Sequence, residues 1–349
     1  MRAVVMRSFG SENVLELSDV EEPRVGPGEV LVRVAAVEVS RSRDVATRTG
    51  NHPFSQHVTL PHVLGGDFAG VVEAVGSEVP RKLLEQRVVG SCTIGCGQCS
   101  SCISGQTERC PQLEMLGIHR WGSYAELVSI PAANVRAVPD EVSMEEAAAL
   151  AATGPIAHKQ LEVAGVYEGT AVVVPGATGA LATVLQALAT ARGARVISLS
   201  RRPHEIPQQL VVAARLDAND PGLARGILDA AGDQGVEAAV DNIADPDVFL
   251  RYFPALAIGG RVVISGAIGA DGSAPLLKVP AGVLYFKSLL LQGVRTATRA
   301  DAEAFWQLVD EGFRLPPGLI QTFPLEHAPE THARIAAAAT VGHTILTIN

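Results

Sequence analysis

Four cysteines fall in the order Cys96-x2-Cys99-x2-Cys102-x7-Cys110. Thiolates at this spacing can be gathered from one loop around a tetrahedral Zn²⁺. Four protein ligands leave no open position on the metal, so such a zinc is structural. A fifth cysteine, Cys92, is surplus to the set and reads as a small buried side chain. All five lie in one short segment, unlike a disulfide framework spread through a secreted domain.

A second stretch, Thr170 to Arg202, carries phosphate chemistry. Val172, Val173 and Val174 form the apolar run of a strand buried on both faces. The turn Pro175-Gly176-Ala177-Thr178-Gly179 follows. Then comes a helical stretch with Ala180, Val184 and Leu188 on one stripe and Leu181 and Leu185 beside it. Arg195 to Leu199 reads as the next strand, completing a βαβ unit. On the G-x-G-x-x-G frame the glycine positions hold Ala177, Gly179 and Ala182. Only the middle one, where backbone approaches phosphate most closely, is Gly. Gly176 to Leu181 can thus turn backbone N–H groups and a helix N-terminus toward a pyrophosphate. At the end of the second strand stand Ser200, Arg201 and Arg202. A carboxylate there would hold a free ribose 2′-hydroxyl. Arginines instead grip a 2′-phosphate, so the expected cofactor is NADPH rather than NADH.

The elements that must position these groups change character along the chain. Up to about residue 142 the pattern is β, cut by Glu-Pro and Gly-Pro-Gly punctuation. Between strands lies NHPFSQHVTLPH, which reads as a solvated polar loop with His52, His57 and His62. Ser143, with Glu146 three residues on, caps a helix. Helices and strands then alternate. VEAAVDNI (236–243) and GRVVISGAI (260–268) read as further buried parallel strands. They end at Asn242 and at Ser265-Gly266, the side on which open α/β sheets bind ligands. An amphipathic helix, DAEAFWQLVDEGF, and a β-prone HTILTIN close the chain.

A net charge of −9 argues against nucleic acid or an anionic membrane as the main partner. No apolar run is long enough to span a bilayer. MRAVVMRSFG lacks a signal-peptide apolar core, which makes the cytoplasm the default location.

Gly28-Glu29-Val30-Leu31-Val32, LGGDFAGVVEAVG, the cysteine lobe (92–110), GSYAELVSIP, the Gly176–Ala182 turn, GGRVVISG and GHTILTI together resemble the medium-chain dehydrogenase/reductase superfamily. The resemblance covers nearly the whole chain. It implies an α/β protein with a discontinuous GroES-like β-rich catalytic domain (1–142 and 296–349) and a doubly wound, parallel-sheet Rossmann domain (143–295). Cofactor and substrate would meet between them, with Thr153 at the junction among the cofactor residues. The zinc-dependent alcohol dehydrogenases of this superfamily hold a catalytic zinc with a Cys three residues before an Asp, a Gly-His-Glu triplet and a last ligand at the domain junction. Counting from Asp44, the first position holds Arg41, or Ser40 with one residue of slippage. The triplet is Gly65-Gly66-Asp67, and the junction has Ala152. One carboxylate cannot hold a catalytic zinc.

The chain is similar here to the superfamily's quinone and enone reductases, which stabilise charge on oxygen with hydrogen-bond donors. Arg41 is the expected donor, with Ser42 as a second candidate and Asp67 as a further site residue. The expected activity is NADPH-dependent hydride transfer to the activated C=C of a small molecule. Two alternatives stay open: an alcohol dehydrogenase or carbonyl reductase acting on C=O, and a non-catalytic NADPH-binding regulator. The substrate pocket is expected to be lined by residues 51–62 and by the region of Phe286. A homodimer is implied, with VVISGAI as a pairing edge strand.

Overall fold

The computed structural model describes residues 1–266 and 275–348. The first part of the chain gives β1 (Arg2–Met6), β2 (Leu15–Asp19), β3 (Glu29–Glu38), β4 (His62–Val63), β5 (Asp67–Val75) and β6 (Arg87–Gly90). A short helix, α1 (Ala46–Arg48), lies between β3 and β4. β3 is mostly apolar and sits centrally, paired antiparallel with β5. Its register sets Val37 against Phe68 and Glu38 against Asp67, so the sheet itself brings two acidic residues to the edge of the site.

The cysteine lobe follows as β7 (Thr93–Ile94), α2 (Ser100–Ile103) and β8 (Glu114–Met115), with β7 and β8 antiparallel. β9 (Leu127–Pro131) and β10 (Val135–Ala137) return the chain to the main β-sheet.

A long helix, α3 (Met144–Ala164), then begins at Ser143, whose hydroxyl accepts the Glu146 N–H. The Glu146 carboxylate does not return to the cap. It accepts the Leu315 N–H instead and ties the helix start to a distant loop. β11 (Ala171–Pro175), α4 (Ala180–Ala191) and β12 (Arg195–Ser200) form the expected βαβ unit, with β11 buried throughout. β13 (Ala214–Asp217), α5 (Leu223–Ala231), β14 (Val236–Asp241), α6 (Pro246–Tyr252), β15 (Leu256–Ile264), α7 (Ala281–Phe286) and β16 (Leu290–Gly293) complete the α/β part. Its strands are all parallel, in the order β13-β12-β11-β14-β15-β16. The order in which the chain adds strands reverses between β11 and β14, and this is where open α/β sheets take their ligands.

α8 (Arg299–Asp310) buries Phe305, Trp306 and Val309 against the core around α3. Gly154 is required there: a Cβ on it would lie 2.1 Å from the Phe305 ring. β17 (Ile320–Pro324), α9 (Ala328–Ala336) and β18 (His343–Thr347) follow. β18 pairs with β3, so the tail closes the first β-sheet.

Two expectations fail. VVISGAI is not an edge strand: β15 is flanked by β14 and β16, and the exposed edge beside it is β16. Its Ala267 and Ile268 lie outside the described residues. Phe286 does not line the cleft either. α7 turns Val283 and Leu284 into the core, which leaves Tyr285 and Phe286 exposed.

Candidate active site

A cleft of about 2250 Å³ is lined by residues of both the β-rich and the α/β parts. At its floor the chain after β3 makes a π-type turn over Arg41–Val45, the Asp44 and Val45 N–H groups both reaching Ser40 O. Such wide turns recur at functional sites. Asp44 locks the turn by accepting the Ser40 N–H at 2.8 Å.

The turn buries Arg43 and leaves Arg41 and Ser42 exposed on the cleft wall. Arg43 Nε donates to Asp44 Oδ1 at 2.9 Å and Nη2 to Asp44 Oδ2 at 3.1 Å. Nη1 donates to Asp67 Oδ2 at 2.5 Å. Burial opposes the charge on Arg43, but Asp44 and Asp67 outweigh it and hold the guanidinium well above its usual pKa. Gly66 is what makes room. A Cβ there would lie 2.9 Å from Arg43 Cζ and Nη1, and 2.7 Å from Cys92 Cβ.

The guanidinium therefore fills the space where a residue with a side chain at position 66 would reach. Asp67 is spent on that cation through one oxygen, and its Oδ1 is buried without a partner. Arg41, Gly66 and Ala152 offer no zinc ligand, so these residues do not fit a catalytic zinc. Counting back from Asp44 points to Arg41, whereas the arginine that is buried at the site is Arg43. The signal was the bare Gly66 opposite a run containing two arginines.

Cys92 is buried against Gly66, and burial, reinforced by Asp67, pushes its thiol up to about 12. It is a neutral packing group. The other four cysteines lie together, their Sγ atoms all within 4.8 Å of one another. That fits a tetrahedral Zn²⁺. The cluster holds the lobe on the cleft rim, where Cys96 and Cys102 reach the lining.

The nucleotide side is built from strand ends. Gly176 takes φ +70°, a conformation suited to glycine, and Gly179 caps α4. A Cβ on Gly179 would meet nothing nearer than Gly176 O at 3.5 Å, so the space above it is open to an incoming group. The first-turn N–H groups of α4 face this opening without helical acceptors. Thr153, Gly176, Thr178, Gly179, Ala180, Leu181, Ser200, Arg201, Arg202, Asn242, Ser265 and Gly266 all line the cleft. Ala177 does not. It is buried, and its N–H is spent on Leu199 O at 3.0 Å.

Gly266 is forced by the close approach of the β14 and β15 ends, since a Cβ would strike Asn242 O at 1.8 Å. Asn242 is fixed by Gln160, whose Nε2 donates to its Oδ1 at 2.7 Å. Arg202 pairs with Glu205 at 3.0 Å and donates to Ala338 O at 2.5 Å. Arg201 is exposed and makes no ion pair with a described residue. No carboxylate stands at the end of β12 itself.

The loop of histidines is not the solvated segment expected. His52 and His62 are buried, while His57 is exposed and stacks on His119 with ring centroids 5.1 Å apart. His52, Pro53 and Phe54 line the cleft. Among the described residues the four cysteines are the one group of His, Cys, Asp or Glu placed to hold a metal. Among them, too, no helix is long and apolar enough to cross a membrane.

Comparison with known proteins places this architecture. Residues 26–140 match the alcohol dehydrogenase GroES-like domain, and residues 180–311 match the zinc-binding dehydrogenase family. An alcohol dehydrogenase of Geobacillus stearothermophilus is 28% identical over the full length of both chains. The crystal structure of an NAD-dependent alcohol dehydrogenase is 32% identical, with both chains fully covered and a TM-score of 0.89. A cobalt- and zinc-bound thermostable alcohol dehydrogenase from Pyrobaculum aerophilum is 28% identical over 100% of this chain and 99% of its own, with a TM-score of 0.86. With both domains matched in order and full-length similarity on each side, the chain belongs to the zinc-type alcohol dehydrogenase family of the medium-chain dehydrogenases/reductases and is an oxidoreductase of that type.

Proposed function

We propose that this oxidoreductase is an NADPH-dependent reductase that works without a catalytic zinc and passes hydride to an electron-poor C=C of the enone type in a small organic substrate. The observation that carries this reading is the Arg43 guanidinium held between Asp44 and Asp67 over Gly66. A fixed cation already occupies that space, and its carboxylates are engaged. Charge developing on a substrate oxygen must then be met by hydrogen-bond donors.

Arg41 and Ser42 stand on the cleft wall for that purpose, Arg41 making no ion pair with a described residue. Asp67 acts by holding Arg43. When bound, the nicotinamide supplies the hydride. The Gly179 opening and the α4 N-terminus would take the pyrophosphate, and Arg201, seconded by Arg202, the 2′-phosphate.

In the same reading, residues 1–142 with 296–349 form the catalytic domain and 143–295 the cofactor domain. The N–H of Gly342 bonds to Thr178 O and joins the two beside the cofactor turn. A homodimer joined at the β16 edge is part of it, supported by the exposed Ile258, Tyr285, Phe286 and Leu290.

The names of the relatives favour a second reading, reduction of C=O or oxidation of an alcohol, which needs the same cofactor and similar donors. The experiment is NADPH consumption with a panel of enones, quinones and aldehydes. Turnover confined to conjugated C=C acceptors supports the proposal, and turnover of aldehydes alone supports the second reading. NADPH binding without consumption of any acceptor would indicate a regulatory protein. Arg41→Ala is expected to lower turnover by about 10²–10³ while NADPH affinity stays near its original value.

A further inference from the structure

His52, on the loop between α1 and β4, is 9% exposed and lines the cleft. Its Nδ1 accepts the Phe54 backbone N–H at 3.2 Å. A backbone N–H can only donate, so Nδ1 must present a lone pair. In a neutral imidazole the proton then sits on Nε2.

The surroundings keep the ring neutral. Burial disfavours the imidazolium, and Arg43 from the π-turn, His119 from the loop after β8 and Arg295 from the loop after β16 add to this. Asp44 opposes them, and the balance pushes His52 down to about 4. Nε2 makes no hydrogen bond to a described residue and is not among the buried polar atoms sealed from solvent. Phe54 tilts against the ring with centroids 5.6 Å apart, and Arg295 in turn lies 5.7 Å over Phe54. The result is an oriented N–H donor with no acceptor among the described residues, on a ring that lines the cleft and feels the charge of Arg43, whose own guanidinium is committed to two carboxylates.

We propose that His52 is a further catalytic residue, donating its Nε2–H to the substrate oxygen that becomes anionic as hydride arrives. This rests on the reductase reading above. The conjugated β-carbon accepts a hydride from the reduced nicotinamide, and the π pair moves onto the oxygen. The cofactor is oxidised and the substrate reduced by two electrons. The enolate oxygen is held by the His52 N–H, and the α-carbon takes its proton from water. His52 keeps its own proton throughout, because a neutral imidazole is a good donor and a very weak acid.

The test uses the full-length protein. NMR of ¹⁵N-labelled imidazoles should show His52 as the Nε2–H tautomer, unchanged from about pH 5 to about pH 8. An Nδ1–H tautomer, or titration near the free-histidine value, overturns the proposal. With an enone and NADPH, His52→Phe should lower kcat by about 10²–10³. His52→Gln, which keeps an N–H near the Nε2 position, should recover most of that loss.

Binding of p-nitrophenolate, an oxyanion probe, to the NADP⁺ complex should weaken about tenfold or more in His52→Phe. This arm reads out even in a protein that turns over no acceptor, so failure of the reductase reading and failure of the His52 assignment are separable. Full turnover and unchanged probe affinity in His52→Phe would remove His52 from the reaction while leaving the reductase reading intact.

Discussion

Replacing Arg43 with Met keeps much of the length of the side chain and deletes its charge. In the folded protein Arg43, Asp44 and Asp67 are all buried. Without the guanidinium, Asp44 retains the Ser40 N–H at 2.8 Å and the Tyr124 hydroxyl at 3.4 Å. Asp67 fares worse. Its Oδ2 loses the Arg43 bond, and its Oδ1 has no partner to begin with. Breaking a buried ion pair by removing one partner strands the other charge and costs about 3–5 kcal/mol. Most of that cost should trace to Asp67. The double change Arg43→Met with Asp67→Asn removes the stranded charge and should recover about half of the loss, because replacing both members of a buried pair is far milder than breaking it. Urea unfolding followed by tryptophan fluorescence measures Arg43→Met, Asp67→Asn alone and the double variant in one cycle. Arg43→Met within about 0.5 kcal/mol of the parent would refute the ion-pair argument. So would a double variant whose loss is the sum of the single losses. Gly66→Ala is the steric companion: its Cβ would press on Cys92 and Arg43, and overpacking of this kind costs about 1–3 kcal/mol.

Cofactor choice should follow the end of β12. NADPH is expected to bind more tightly than NADH, and changing Arg201 and Arg202 together to Ala should erase most of the difference, each charge-assisted contact contributing about 1.5–3 kcal/mol. Equal affinity of the parent for both cofactors, measured by fluorescence titration, would count against it. Acid sensitivity should come from imidazoles buried in their neutral form. Burial pushes His332 down to about 3 and His52 down to about 4, against 6.5 for a free ring. The unfolded chain therefore binds more protons than the folded one below that value, and stability should fall as pH drops from 6.5 toward 4. Unfolding midpoints measured across that range check the direction, and a flat profile would contradict it. In the zinc lobe, Cys99→Ser should lower the thermal midpoint, since structural zinc binding is folding free energy. An unchanged midpoint would deny the cluster its metal.

Much of this was legible in the sequence because its determinants are local. The run Val172–Val174, the small-residue turn and the stripe of α4 are neighbours in the chain, and so are the four cysteines. The site was less legible because its decisive contacts are not local. Which arginine enters the floor is set by the winding of one π-type turn and by an empty position at Gly66, brought opposite it through the pairing of β3 with β5. Spacing from Asp44 could only nominate Arg41. His52 looked like part of a solvated loop, but Arg43, His119 and Arg295 come to it from separate elements. The placement of VVISGAI within the sheet and the outward turn of Phe286 are also matters of which elements are neighbours, and hydrophobic periodicity carries no such information.

On the proposed reading the Arg43 guanidinium stands where a catalytic metal would otherwise be needed, and among the described residues the four-cysteine cluster is the sole zinc site. Zinc content of the purified protein, determined by elemental analysis on a preparation that oxidises NADPH, tests it most directly. One zinc per chain is expected, with turnover unchanged by added zinc. Two zincs per chain, or turnover that depends on a second, removable zinc, would contradict it.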